Sequence, residues 1–133
     1  MPFVIGITLS AGVAMLARQV GFDRDRAFYP TVLMVVASYY VLFAAMSSSV
    51  PALLVESLAM TVFAIAAIVG FRSSLWIVAA ALVGHGIFDA VHGLLVDNPG
   101  VPVWWPAFCL SYDVGAGAYL AGLLWQRSRR ARA

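Results

Sequence analysis

Half of the six acidic residues and both histidines fall inside long apolar runs. They are Glu56, Asp89, Asp113, His85 and His92. A charged side chain at the centre of a membrane helix costs about 2.5–3.5 kcal/mol on insertion scales, so such residues are read as functional by default. Three of the five share the stretch Gly84-His85-Gly86-Ile87-Phe88-Asp89-Ala90-Val91-His92-Gly93, at spacings of four and three residues. At about 100° per residue their side chains fall within a sector of about 60°, on one face of a helix. Two imidazoles and a carboxylate so placed can ligate one metal ion, as i, i+3 and i+4 donors do in helical bundles. The expected primary ligands of a divalent transition metal, zinc or iron, are His85, Asp89 and His92, with Asp113 as a further ligand. Glu56 and Asp113 are the expected general acid/base residues. Two metal-free uses compete: a proton relay, and interhelical hydrogen bonding. The second averages only about 0.6 kcal/mol per bond in membrane proteins, too little to offset five buried ionisable groups.

Neighbouring residues bear on the same site. Cys109 precedes Asp113 by one helical turn and can offer a thiolate, but a lone cysteine in an apolar helix is read first as packing. Tyr39 or Tyr40 and Ser10 are placed to supply supporting hydrogen bonds. Gly84, Gly86 and Gly93 allow a close approach beside the histidines. Asp113, Gly117 and Ala121 recur every four residues, and Ala118 with Gly122 makes a second small-residue pair, a pattern that lets membrane helices pack tightly. His85 and His92 cannot clamp one haem from opposite faces of a single helix, so haem ligation would need a second subunit.

Composition dictates the elements that must hold these groups. The 133 residues are 63% hydrophobic and 11% charged, against about 45–50% and about 25% for soluble domains, and the mean hydropathy is +0.94. That balance excludes a soluble enzyme and a disordered tail, and the single cysteine excludes a disulfide scaffold. A hydrocarbon core of about 30 Å needs about 20 apolar residues per helix. Five runs qualify: Pro2–Ala17, Phe28–Met46, Pro51–Gly70, Ser74–Val96 and Trp105–Trp125. The first is read as a span, because no basic residue precedes it and no small-x-small cleavage site follows. Only helices satisfy the backbone of an open chain in lipid. The expected fold is all-α, a polytopic membrane bundle of five transmembrane helices forming one domain over residues 1–133, without internal repeats.

The eight basic residues, all arginine, test the count. Arg18, Arg24 and Arg26 lie between runs one and two, Arg72 between three and four, and Arg127, Arg129, Arg130 and Arg132 after run five. A five-span chain puts all eight on one side, which the positive-inside rule makes cytoplasmic; the N-terminus is then outside and the C-terminus inside. Basicity therefore reports orientation and implies no nucleic-acid partner. Trp104 and Trp105 at one interface and Trp76 and Trp125 at the other fit aromatic belts. The Asp23-Arg24-Asp25-Arg26 stretch is expected to be a solvated loop. With a rise of about 1.5 Å per residue, Glu56, Asp89, His92 and Asp113 fall in one layer near the outer surface, with His85 a turn deeper.

The stretches GFDRDRAFYPT (Gly21–Thr31), GHGIFDAVHG and NPGVPVWWPAFCLSYD resemble a group of small, uncharacterised bacterial multi-span membrane proteins, over most of the chain. The resemblance implies a bacterial inner-membrane location and no mechanism. Intramembrane metal hydrolases of the ceramidase-like type have more spans and more histidines, and remain an analogy. Three functions follow: a metal site able to act on a lipid-like ligand entering from the bilayer, a proton- or cation-coupled transporter working as a homo-oligomer, and an accessory subunit of a larger membrane complex.

Overall fold

The computed structural model describes all 133 residues and contains five long helices. They are α1 (Pro2–Val20), α2 (Phe28–Met46), α3 (Val50–Arg72), α4 (Leu75–Leu95) and α5 (Trp105–Arg132), with one 3-10 turn at Phe22–Arg24. Each of the five is long and apolar enough to cross a membrane. Helix boundaries follow local chemistry. Gly21 adopts φ 90° and ends α1, its N–H donating to the Ala17 carbonyl at 2.9 Å, a left-handed cap that glycine adopts without a Cβ penalty. Ser49 and Ser74 open α3 and α4 by accepting from the backbone N–H groups of Ala52 and Trp76. Compared with the expected runs, α5 continues past Trp125 for two turns that carry the last four arginines.

The α5 helix packs chiefly against α4 and α1, and α3 joins α2 to α4. Two glycines set the α4–α5 approach. A Cβ at Gly86 would lie 2.9 Å from Val114 Cγ2 and 3.1 Å from the Leu110 carbonyl, and one at Gly117 would lie 2.9 Å from the Ala79 carbonyl. Gly84, Gly93 and Gly122 meet nothing within 4 Å, so of the expected small-residue contacts it is Gly86 and Gly117 that bring the backbones together. The pairing of 86 with 110–114 and of 117 with 79–83 makes α4 and α5 antiparallel. The core includes Leu33, Val78, Leu82, Ala116 and Leu120.

All arginine-bearing segments meet at one end. Arg127 donates to the Asp23 carbonyl at 2.8 Å, joining the end of α5 to the α1–α2 connection. Arg26 donates to the carbonyls of Gly70, Phe71 and Ser73 and so satisfies the last turn of α3. Of the Asp23–Arg26 stretch expected to be a solvated loop, Arg24, Asp25 and Arg26 are exposed, while Asp23 is buried and Arg26 also serves as a helix cap. The opposite end carries the Ser47–Ser49 turn and the Val96–Trp104 connection, whose Gly100 packs against the end of α2.

Candidate metal centre

The five ionisable residues within the apolar helices are all buried, at 0–3% exposure. They come from α3 (Glu56), α4 (His85, Asp89, His92) and α5 (Asp113), and the burial of Glu56 and Asp113 directs both helices' polar groups into the bundle. They form two neighbouring groups.

In the first group, His85 Nδ1 lies 2.6 Å from Asp113 Oδ2 and 3.4 Å from Asp89 Oδ2. Cys109, one turn before Asp113 on α5, completes it. Ligand atoms of His85, Asp89, Cys109 and Asp113 lie within 4.8 Å of one another, and all four residues are buried. In the second group, His92 Nε2 lies 2.7 Å from Glu56 Oε1. The Asn98 amide donates to the same Glu56 oxygen at 2.9 Å and to the Tyr40 carbonyl at 3.1 Å.

Tyr40 joins the two groups. Its hydroxyl donates to Asp89 Oδ1 at 2.7 Å, and its ring stacks on the His92 imidazole with centroids 3.9 Å apart. Phe88 and Phe63 press on the imidazoles edge-on, Phe88 against His92 at 5.4 Å and Phe63 against His85 at 4.7 Å between centroids. Aromatic rings thus exclude water and restrict both histidines.

This arrangement revises the ligand set read from spacing. His92 shares a helix face with His85 and Asp89 but lies outside the four-residue group, its Nε2 engaged by Glu56. Glu56 likewise stands with His92 in the second group. Cys109, expected to be packing, belongs to the first. The reason is interhelical: α5 places Cys109 and Asp113 opposite His85 and Asp89, whereas α3 meets His85 with Phe63 and brings its one acid, Glu56, level with His92. Of the two tyrosines, Tyr40 supports the site, whereas Tyr39 faces Trp105 at 4.9 Å between centroids. Ser10 packs against Gly115 on α5.

Comparison with known proteins adds no relative. No family model, curated protein or solved structure matches the chain.

The donor set suits a divalent transition metal. One imidazole, one thiol and two carboxylates are ligand types used by zinc, and thiolate with imidazole favours zinc or iron over magnesium or calcium. Donors around a tetrahedral zinc stand about 3.4 Å apart for bonds of about 2.1 Å. His85 Nδ1 stands 3.4 Å from Asp89 Oδ2 but 2.6 Å from Asp113 Oδ2, a direct hydrogen bond, so joint ligation requires that bond to open or Asp113 to offer its unpartnered Oδ1. Asp89 Oδ2 and Asp113 Oδ1 are buried without a hydrogen-bond partner, as is Glu56 Oε2. Two carboxylates beside one imidazole leave lone pairs unsatisfied in a dry interior, a cost of about 1–3 kcal/mol per group. A cation between them would remove it.

Proposed function

We propose that this protein is a multi-pass bacterial inner-membrane protein that holds one zinc or iron ion at His85, Asp89, Cys109 and Asp113 and acts on a lipid-like ligand. The observation that carries the reading is the convergence of four buried donors from two helices, with unpartnered carboxylate oxygens among them. When bound, the metal would supply Lewis acidity to a polarised oxygen of the ligand. The chain's own residues do the rest. Tyr40 fixes Asp89 through its hydroxyl, as outer hydrogen bonds orient ligating carboxylates. Glu56 is the buried carboxylate outside the donor set; its Oε1 is held by His92 and Asn98, and its Oε2 has no hydrogen-bond partner.

Access favours a lipid-like molecule. A cavity of about 430 Å³ lies among α1, α2 and α5, bounded by Leu9, Val32, Val35, Tyr39, Phe108 and Cys109. Its lining is apolar apart from Thr31, and Cys109 belongs both to this wall and to the donor group. Of the four donors, Cys109 is the one that a ligand seated in this cavity would adjoin.

Elemental analysis of the purified protein tests the reading. It predicts about one zinc or iron per chain in the wild type, loss of most of it in His85→Ala and in Asp113→Asn, and retention in His92→Gln. A metal-free wild type, or equal loss from His92→Gln, would overturn it. A second reading, a proton site, is favoured by the connected series Tyr40–Asp89–His85–Asp113. It predicts no metal and a proton flux in proteoliposomes that Asp113→Asn abolishes.

A further inference from the structure

At the arginine-rich end, the cavity formed by α1, the 3-10 turn and α5 has chemistry unlike the rest of the molecule. It measures about 260 Å³ and is lined by Arg18, Asp23, Arg24, Gln126, Arg127 and Arg130, with one apolar residue. Four guanidiniums against one carboxylate leave a formal charge of +3 around a space large enough for a phosphate and part of what it is attached to.

The other arginines show that this convergence is selective. Arg26 is spent on the carbonyls ending α3, and Arg129 lies over the Trp125 ring at 3.8 Å. Arg127 gives one N–H to the Asp23 carbonyl, which fixes its position at the cavity wall. Every charge contact within 4.0 Å in the chain involves His85 or His92, so no guanidinium is neutralised by a carboxylate, that of Asp23 included. The side chains of Arg18, Arg24 and Arg130 donate no hydrogen bond within the protein. Like charges held together without counterions repel, and a multivalent anion relieves that repulsion while using the planar N–H forks of the guanidiniums. Generic attraction of basic residues to a membrane surface requires no cavity, whereas basic pockets between transmembrane helices on the cytoplasmic side are recognised sites for anionic head groups.

We propose that this cavity is a binding site for a phosphate group, held by Arg18, Arg24, Arg127 and Arg130. It is independent of the metal site, which lies toward the other end of the helices. Both a phosphomonoester lipid head group and free phosphate have the required chemistry.

The test is native mass spectrometry of the detergent-solubilised protein with phosphatidic acid, against phosphatidylcholine of the same acyl chains, with and without inorganic phosphate as competitor. Wild type is expected to retain phosphatidic acid in preference to phosphatidylcholine. The triple variant Arg18→Gln/Arg24→Gln/Arg130→Gln, which removes no internal hydrogen bond, should bind it about tenfold more weakly or worse. Arg72→Gln/Arg132→Gln, with two arginines outside the cavity removed, should bind as wild type does. Displacement by millimolar inorganic phosphate, or binding of phosphate alone, assigns the site to a free anion; resistance to it assigns the site to the lipid. No preference for phosphatidic acid together with no phosphate binding, an unaffected triple variant, or equal loss in the two-arginine control would overturn the proposal.

Discussion

The Tyr40 hydroxyl is the one side-chain donor that reaches the first carboxylate group from outside α4 and α5. Removing it frees Asp89 Oδ1 and loosens a ligand without changing the donor set. Loss of such an outer hydrogen bond typically weakens metal binding by about 10–100-fold, so Tyr40→Phe is expected to give up its metal to a competing chelator at a correspondingly lower concentration, with the ring still stacked on His92. Asn98 plays the matching part in the second group. Asn98→Ala would leave Glu56 with His92 alone and remove the side-chain donor to the Tyr40 carbonyl, and should destabilise the protein by about 1–3 kcal/mol, read as a lower unfolding midpoint in detergent, with metal content unchanged. At this scale the sequence was partly informative. The cost of burying Glu56, His85, Asp89, His92 and Asp113 singles them out without any structure. Helical periodicity then groups His85, Asp89 and His92, because it describes a single helix and carries no information about which neighbour faces which turn. Cys109 and Asn98 escape the same logic for ordinary reasons: a cysteine costs nothing to bury, and an asparagine before Pro99-Gly100 reads as a turn residue, which it also is, accepting from the Gly100 N–H at 3.2 Å.

Among the elements, the α4–α5 contact does most to build the site, since it brings His85 and Asp89 to Cys109 and Asp113. Gly86 lies between His85 and Asp89 in sequence and faces Val114, so the approach that assembles the donors depends on the missing Cβ. Gly86→Ala is expected to destabilise the protein by about 1–3 kcal/mol through overpacking and to lower metal occupancy with it. Gly84→Ala and Gly93→Ala, with open space beyond each Cβ, should be neutral or slightly stabilising, as alanine is the better helix former by up to about 1 kcal/mol. Unfolding midpoints of the three variants in one detergent separate these outcomes. Helix existence and position were legible from apolar run lengths and from Pro, Ser and Gly at the boundaries; α2 spans the expected Phe28–Met46. The continuation of α5 to Arg132 was not, because hydropathy ends at Trp125 while helix propensity does not: Gln, Arg and Ala are good helix formers.

For the whole molecule, the distribution of exposure matches a bundle surrounded by hydrocarbon. On α3, Leu54, Leu58, Val62 and Ile65 are each more than half exposed, while Glu56 on the same helix is 1% exposed; the apolar face looks outward and the polar group inward. All eight arginines lie toward one end, which the proposed five-span topology puts in the cytoplasm. Single cysteines placed at Ser73 and at Val103, which is 99% exposed at the opposite end, are expected to react with an impermeant thiol reagent from opposite sides of the cell membrane, Val103→Cys from outside and Ser73→Cys only after lysis. Labelling of both from one side would refute the five-span topology. The scarcity of charge, 11% of the chain, thereby separates into an arginine end and a buried acid–histidine layer, and the chemistry of the protein depends on whether that layer holds a metal through Cys109. X-ray absorption at the edge of the bound metal tests this most directly. For zinc, it should show one sulfur at about 2.3 Å and nitrogen or oxygen donors at about 2.0–2.2 Å, with the outer-shell scattering of a single imidazole; a sulfur-free shell with two imidazoles would contradict it.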